Sequence, residues 1–488
     1  MKKSIYARIL SLILVLVMSV GIFAGCGGNQ EDDTTIYVGN TAGTTGVLAS
    51  IGEPFNLGIR AAFDVYNAAG GFNGRKVALK HYDDKGEASE SLSLMEKLIF
   101  EDEVFAIVGN YGGYAVNVNL DLLKEEEVPM IYAAAGIDAL YNPKAESLGD
   151  RGIFPVQPLN RIEGQALIAR AFAKAYVENP ESPTGYDLTG GLGATKVGVI
   201  SNQNEASVGT LNGIKLGIGD LPESTKNNVV IQEVNGSDFS AAATAIVSSG
   251  CDTVIITVIG TDFVSALTAL NNAGFKGNVL AGYSNADAGV LNKSGKITET
   301  GAAILSNMTI YAQGWLNVSS TTYYYKKDTP LYNMYKVQNM VYATDESGNK
   351  TEVGVAGFNE EYWRVAENIY NYTAALKDPK LNPWAMSYNS YALAGYIAGE
   401  LFCSGLEALE KSGKELTRAN YVEIMESQEF KLAMSDTISY ANGLRSGFDL
   451  FALGVFYNTA DYGLAPTSAS ATYSGLQSID ELKALITE

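Results

Sequence analysis

Chemistry needs reactive side chains held close together, and this chain offers few. His81 is the only histidine, so a histidine-based triad or a multi-histidine metal site cannot be built except around His81 itself. It lies beside Tyr82 in strand-like sequence and reads as structural. Residues 289–296, GVLNKSGK, approach a phosphate-binding loop. The spacing holds one residue too many, and Ile297 stands where Ser or Thr must meet magnesium. No GxSxG occurs, and no GxGxxG follows a strand. Asp83 and Asp84 form a tempting acid/base or metal pair, but neighbours on a strand point to opposite faces, so a solvated strand end is expected. The expectation is a binding protein with no catalytic residue, no metal and no cofactor.

Small anions can be bound without reactive side chains. Helix N-termini present free N–H groups and the positive end of the dipole, which suit a carboxylate. Three loops in the first half lead to such positions: residues 41–52, with Ile51 at the head of a helix; Asn110–Tyr111–Gly112–Gly113; and Ala133–Ala134–Ala135–Gly136. Three more follow in the second half: residues 202–209, with Ser207, Val208 and Gly209; Gly260–Thr261–Asp262; and Gly282–Tyr283–Ser284–Asn285. Turn geometry alone is the other reading of these glycines.

The elements that must position these loops are legible. Residues 67–84, NAAGGFNGRKVALKHYDD, end a helix at Gly70–Gly71, turn at Phe72–Asn73–Gly74 and run on as a strand. With a strand at 36–40 they make one βαβ unit. Strands are expected at 77–82, 104–109 and 129–133, and helices near 54–69, 87–100 and 114–124. Phe55, Ile59, Ala62, Phe63 and Tyr66 recur at helical spacing, and Pro54 falls in the first turn of its predicted helix. Glu125 to Glu127 oppose the dipole at the end of the third helix.

A second series follows Pro155 and Pro158, with strands at 197–201, 229–234, 253–259 and 278–281 and helices near 163–177, 209–221, 239–249 and 263–273. Two such series in tandem predict an α/β protein of two Rossmann-like lobes with parallel sheets, the carboxyl ends of both facing a cleft. Residues 178–195 read as a surface loop. Residues 314–357 read as an aromatic, polar insertion with Tyr323–Tyr324–Tyr325 and a hairpin around 346–349.

The N-terminus reads as an address. Lys2, Lys3 and Arg8 precede an apolar run from Ile9 to Phe23, and Ala24–Gly25–Cys26 follows. This pattern resembles the lipobox of bacterial lipoproteins, with residues 1–25 as signal peptide, Cys26 as lipid anchor and 26–35 as a polar tether. The chain carries 54 acids against 34 bases, a net charge of −20, which suits a soluble exported body and argues against nucleic acid or anionic surfaces as partners. Cys251 and Cys403 are far apart and read as two buried thiols instead of a bridge.

Residues 67–84, with the order of loops around them, resemble the type I solute-binding proteins of ABC importers, the leucine/isoleucine/valine-binding family. The likeness runs from Ile36 to about Gln313 and returns at residues 389–409, NSYALAGYIAGELFCSGLEAL. It implies a three-segment hinge with crossings near 155–160, 306–313 and 426–435. The first lobe would comprise 36–157 plus 312–425, with 314–357 inserted, and the second 158–311 plus 426–488. Hinge closure on a small solute, an amino acid or a related amide or organic acid, would precede delivery to a membrane permease. The protein would be a lipid-anchored, extracytoplasmic monomer.

The resemblance also places ligand contacts at Ile51, Tyr111, Gly112, Gly113, Ala134, Ala135, Gly136, Ser207, Thr261, Asp262, Tyr283, Ser284 and Asn285. In the family, Ser or Thr hydroxyls help hold the carboxylate, but Gly113, Ala135 and Gly136 carry none. The acid that commonly meets the ammonium group is replaced by the uncharged Ser284 and Asn285, leaving Asp262 or Asp287 to substitute. An unpaired buried charge is expensive, so a standard α-amino acid is not the expected ligand. Two other roles fit the same sequence: a ligand sensor presenting its closed form to a membrane receptor, and a carbohydrate-binding surface lipoprotein suggested by 29 tyrosines.

Overall fold

The computed structural model describes residues 34–181, 185–316, 340–344, 350–355, 360–387, 389–462 and 466–486. The leader, Cys26 and most of the tether lie outside the described residues, as do Tyr323 to Tyr325. The hairpin expected around 346–349 has its tip outside them, while its flanks Met340–Thr344 and Lys350–Val355 pair antiparallel.

The first series gives β1 (Thr35–Ala42), α1 (Ala49–Ala68), β2 (Lys76–Asp83), α2 (Ala88–Phe100), β3 (Ile107–Val108), α3 (Gly113–Glu125), β4 (Met130–Ile131) and β5 (Ile153–Phe154). The five strands form a wholly parallel sheet in the order β2-β1-β3-β4-β5. The second series gives α4 (Asn160–Phe172), β6 (Val197–Asn202), α5 (Glu205–Gly219), β7 (Val229–Val234), α6 (Ser240–Ser248), β8 (Thr253–Ile256), α7 (Thr261–Asn272), β9 (Asn278–Ala281), α8 (Glu299–Asn307) and β10 (Thr309–Gly314). Beyond it come α9 (Glu360–Leu376), α10 (Ser390–Ser412), α11 (Arg418–Ser427), β11 (Leu450–Asn458) and β12 (Ser468–Ser478). The second sheet has the order β12-β11-β10-β9-β8-β6-β7. Beyond β10 the sheet is extended by two strands, β11 antiparallel to β10 and β12 antiparallel to β11, an extension the sequence pattern does not indicate.

Several helices start earlier than expected. α1 begins at Ala49, so Pro54 lies in its second turn and not its first. α5 begins at Glu205, capped by the Asn204 side chain, so Ser207 and Val208 are helical and not part of a loop. The 178–195 stretch begins as a short hairpin, Tyr176–Glu178 against Tyr186–Leu188. The end of α3 at 125–127 has a cation beside it, held by backbone carbonyls and not by the acid side chains. Arg418 donates to the carbonyls of Val104, Phe105 and Glu126, which places a cation where the α3 dipole is negative.

Each lobe is built on a pair of helices whose backbones touch. In the first, α1 crosses α10, and a Cβ on Gly58 would collide with the Ala392 carbonyl, as one on Gly395 would with that of Phe55. In the second, α4 crosses α5, with Gly164 against the Thr210 carbonyl and Gly213 against that of Arg161. Among the described residues α10 is the one helix long and apolar enough to cross a membrane, and it is mostly buried in the first core. Cys251 and Cys403 are both buried and unbridged, as expected.

Buried arginines stitch the crossings. Arg170 of α4 is fully buried and donates to Gln313 Oε1 (2.9 Å), Gly190 O (2.8 Å), Gln477 Oε1 (2.9 Å) and Phe451 O (2.8 Å), joining four separate chain segments. Arg445 is buried over the Phe154 ring and shares Glu426 with Arg151. The hairpin Glu429–Lys431/Thr437–Ser439 packs its Phe430, Ile438 and Tyr440 into the first core, and Tyr440 donates to Pro155 O (3.0 Å). The chain therefore enters the second sheet at Leu450, past the crossing placed at 426–435, because residues 429–448 carry apolar side chains that the first core absorbs.

The glycine contacts yield a test by urea unfolding. Gly395→Val should cost about 3 kcal/mol through overpacking or prevent folding. Gly219→Ala, at the exposed end of α5 where an added Cβ meets nothing within 4 Å, should be neutral or add about 0.5 kcal/mol.

Candidate functional site

The carboxyl ends of both sheets and the first turns of α1, α3, α4, α5, α7 and α10 meet in one region. Its first-lobe floor is a polar network. Asn40 Nδ2 donates to Asn56 Oδ1 (2.8 Å), and the Thr41 hydroxyl donates to Asn110 Oδ1 (2.9 Å). His81 Nδ1 donates to Asn40 Oδ1 (2.9 Å), which leaves Nε2 to accept from Thr44 (3.0 Å). Burial, helped by Arg60, pushes the imidazole down to about 4, so His81 is neutral and structural as expected. The Asp83–Asp84 pair is not a solvated strand end. Asp83 accepts from the Thr44 amide (2.8 Å) and the Thr45 hydroxyl (2.5 Å). Asp84 is fully buried and accepts from the Tyr114 hydroxyl (2.8 Å), because α3 covers that end of β2.

The first-lobe loops come together as the sequence suggested. The Gly112 amide donates to Ala134 O (3.2 Å), and Gly112 heads α3 at φ 95°, a conformation that glycine alone adopts readily. Ala135 is buried, and Ile51 is half-buried in the first turn of α1. The Tyr111 ring meets Phe55 edge-on at 5.5 Å and Tyr391, from the first turn of α10, at 6.4 Å. Tyr132 takes φ 54°, unusual for a bulky residue, with its ring between Phe55 and Trp315.

The second-lobe expectations fare unevenly. Ser207 is fully buried, and its hydroxyl is committed to Thr257 (2.6 Å), Ser201 (3.0 Å) and the Asn202 amide (3.1 Å), so the structure does not bring it to the cleft. It points inward because α5 begins two residues before it. Thr261 is exposed at the head of α7, and Asp262 accepts from Asn202 Nδ2 (2.8 Å). Asn285 is buried and donates to Val258 O (2.9 Å), while Ser284 is exposed. Asp287 caps Gly289 (2.8 Å) and is exposed.

Tyr283 sits at the junction of the lobes. Its hydroxyl accepts from Gln157 Nε2 (3.1 Å) and donates to Pro158 O (3.3 Å). The lobes touch at their loops. A Cβ on Gly113 would lie 2.7 Å from Glu205 Oε2, and one on Gly136 would collide with Asn160 and lie 3.1 Å from the Tyr283 hydroxyl. Close by, a cavity of about 10 Å³ remains, bounded by Asn160, Glu163, Thr210, Thr257, Gly282 and Asn285. It has room for one water-sized group. A larger solute enters only if the loops part.

Glu163 was not expected here. Its side chain is 3% exposed, and Oε1 accepts from the Tyr283 amide (2.6 Å). No basic side chain pairs with it among the described residues, and burial pushes its carboxyl up to about 7. Glu205 is likewise absent from the expected contacts, because residues 202–209 read as a loop with Ser207 as its binding group, whereas Glu205 is the first residue of α5. A signal for Glu163 existed. α4 is buried nearly all round, and on such a helix the two buried charged residues, Glu163 and Arg170, seven apart and thus on one face, demand specific surroundings.

A family profile described as periplasmic binding protein matches residues 35–358. Among curated relatives, the Leu/Ile/Val-binding protein homolog 3 of Brucella melitensis is 27% identical over 271 residues, 55% of this chain and 67% of the relative. An amino acid binding protein of Pseudomonas aeruginosa is 26% identical over 251 residues, 49% of this chain and 58% of the relative. The aligned part thus spans little more than half to two thirds of these relatives' length. An ABC transporter substrate-binding protein from Sphaerobacter thermophilus shares the fold, with a TM-score of 0.61 at 17% identity over 92% of this chain and 100% of that one.

The raised Glu163 carboxyl sets a pH dependence of stability. The folded state holds the proton more tightly than the unfolded chain, so its contribution is complete below about 4.5 and is lost as pH rises through about 7. Thermal unfolding of Glu163→Gln should match the parent at low pH and exceed its stability above neutrality, by roughly 3 kcal/mol at most. Equal stability of the two proteins across the range would contradict a buried, unpaired carboxyl.

Proposed function

The chain belongs to the periplasmic binding protein family, and from that premise we propose that it is the extracytoplasmic, substrate-binding component of an ABC importer. It captures a small polar solute, an amino acid or a related amide or organic acid, between its two lobes by hinge closure and presents the closed form to a membrane permease. Solute-binding proteins of this kind are not enzymes. Anchorage is through lipid on Cys26, the residue that follows the leader, with the body working as a monomer.

The observation that carries this reading is the meeting of the two lobes loop to loop. Gly113 abuts Glu205, and Gly136 abuts Asn160 and Tyr283, each contact joining opposite lobes. Glycines at these points let backbones approach closely. The contacts ride on helix N-termini, which keep amide donors near any anionic part of a bound solute. Of the residues proposed from the sequence, Ile51, Tyr111, Gly112, Gly113, Ala134, Ala135, Gly136, Thr261, Asp262, Tyr283, Ser284 and Asn285 remain candidates for ligand contact.

A ligand that binds only the folded protein raises its melting temperature by linkage, about 2.7 kcal/mol of added stability at a hundred times Kd. A thermal-shift screen of amino acids, amides, short peptides, aromatic acids and sugars should therefore return at least one solute that shifts the transition by several degrees. A screen with no positive would count against the proposal. Separately, Cys26→Ser should move the protein from the membrane fraction to the soluble one. Retention in the membrane fraction would remove the lipid anchor from the account.

A further inference from the structure

We propose that the first lobe holds a monovalent metal ion, sodium or potassium, on the oxygens of Asp84, Asn119, Ser91 and Thr41. The site lies inside the lobe, beneath the loops on its side of the cleft, and is independent of the solute that the cleft takes.

Thr41, Asp84, Ser91, Asn110 and Asn119 are all fully buried. β1 and β2 run parallel with Thr41 beside Tyr82, and the Asp84 amide extends that ladder by donating to Ala42 O (3.3 Å). Asp84 lies two residues past Tyr82, so its side chain shares the Thr41 face of the sheet. α2 and α3 cover that face. Ser91 of α2 meets Thr41 (2.6 Å), Asn119 of α3 donates to Ser91 (3.0 Å), and Tyr114 of α3 donates to Asp84 Oδ1 (2.8 Å). Three buried atoms of this group have no partner in the protein: Asp84 Oδ2, Asn119 Oδ1 and Asn110 Nδ2.

One fixed donor places every proton in the network. The Thr41 amide donates to Asn110 Oδ1 (3.1 Å), which also takes the Thr41 hydroxyl proton (2.9 Å). Thr41 then has no proton for Ser91, so Ser91 donates to Thr41. Ser91 in turn has none for Asn119, which offers its Nδ2 and keeps Oδ1 free. Asp84 Oδ1 accepts from the Gly86 amide (3.0 Å) and Tyr114, Oδ2 accepts nothing, and no base pairs with the carboxylate among the described residues. Asn110 Nδ2 is the one donor left over and is no ligand. A water could join it to the two free acceptors, but the carboxylate charge would stay uncompensated in the interior, which is expensive. A hard cation answers both needs, because the Asp84 and Asn119 oxygens are free and Ser91 and Thr41 each keep one lone pair. One carboxylate balances one charge, and among the described residues no group of three His, Cys, Asp or Glu could hold a metal, so the ion is monovalent. It would brace the cleft loops from below, since Thr41 also accepts the Tyr111 amide (3.2 Å).

Thermal unfolding of the full-length protein, with no solute added, in the chlorides of sodium, potassium, magnesium and choline at one ionic strength tests the site. Sodium or potassium should raise Tm above choline by about 3 °C or more, and the rise should saturate with concentration. Asp84→Asn, its fold checked by circular dichroism, keeps the side-chain shape and removes the charge, so it should erase that difference. Equal Tm in all four salts would overturn the site. So would an alkali-ion effect that Asp84→Asn leaves intact, which marks loose attraction to the acidic surface, or stabilisation by magnesium alone. Should the variant fail to fold, sodium-23 relaxation on the parent protein decides. Broadening that potassium displaces and choline does not supports the site, and no broadening, or equal displacement by both, overturns it. The solute-binding role stands or falls separately, on the ligand screen.

Discussion

The constraint on which this structure depends is the contact of helix backbones at glycine. α1 and α10 in the first lobe, and α4 and α5 in the second, cross so closely that Gly58, Gly395, Gly164 and Gly213 have a neighbouring carbonyl where a Cβ would be. Each contact falls in the first three turns of its helix. The pairs are therefore pinned near their N-terminal ends, and those ends carry Tyr391, Asn160, Glu163 and Glu205 into the cleft. Packing of this density transmits position well, because a displaced backbone has no side chain to absorb the shift. The two lobes reach the same solution with different sequences, which gives both sides of the cleft a rigid base and confines freedom to the loops and the crossings.

α4 shows how one helix serves both needs. At one end Arg170 is buried among carbonyl and amide oxygens from four segments, with no carboxylate among the partners that hold it. Burial lowers its affinity for the proton, but five donors in a fixed fork find enough acceptors to keep the cation in place. Two turns earlier on the same face, Glu163 is as deeply buried but has one donor, so its charge is unpaid and its carboxyl shifts upward. The same depth yields a lock in one case and a responsive group in the other. The difference is the number of hydrogen bonds available to the charged form.

Much of the fold was legible in the sequence for local reasons. Glycine turns after helices, alternation of strand and helix, and apolar residues at helical spacing are short-range signals, and the observed elements follow them. The helix starts were less accessible. Pro54 suggested a beginning that tertiary contacts moved back to Ala49, and the Asn204 cap of α5 was read as loop, which turned Ser207 from an expected ligand group into a core hydroxyl. Asp84 illustrates the same limit. Alternation along a strand says that neighbours face opposite ways, but only the arrival of α3 over the strand end buries one of them.

The residues of this chain, taken alone, determine the two α/β series, the absence of histidine-based chemistry and the loops at the carboxyl ends of the strands, since each follows from spacing and side-chain type over short stretches. Tertiary structure alone decided which acid faces the cleft and where the chain finally joins the second sheet. Glu163 lies 120 residues from the Tyr283 amide that it accepts, and Arg170 lies 281 residues from the Phe451 carbonyl that it holds. The environment of a buried charge is assembled from segments that far apart, and no local pattern along the chain encodes it.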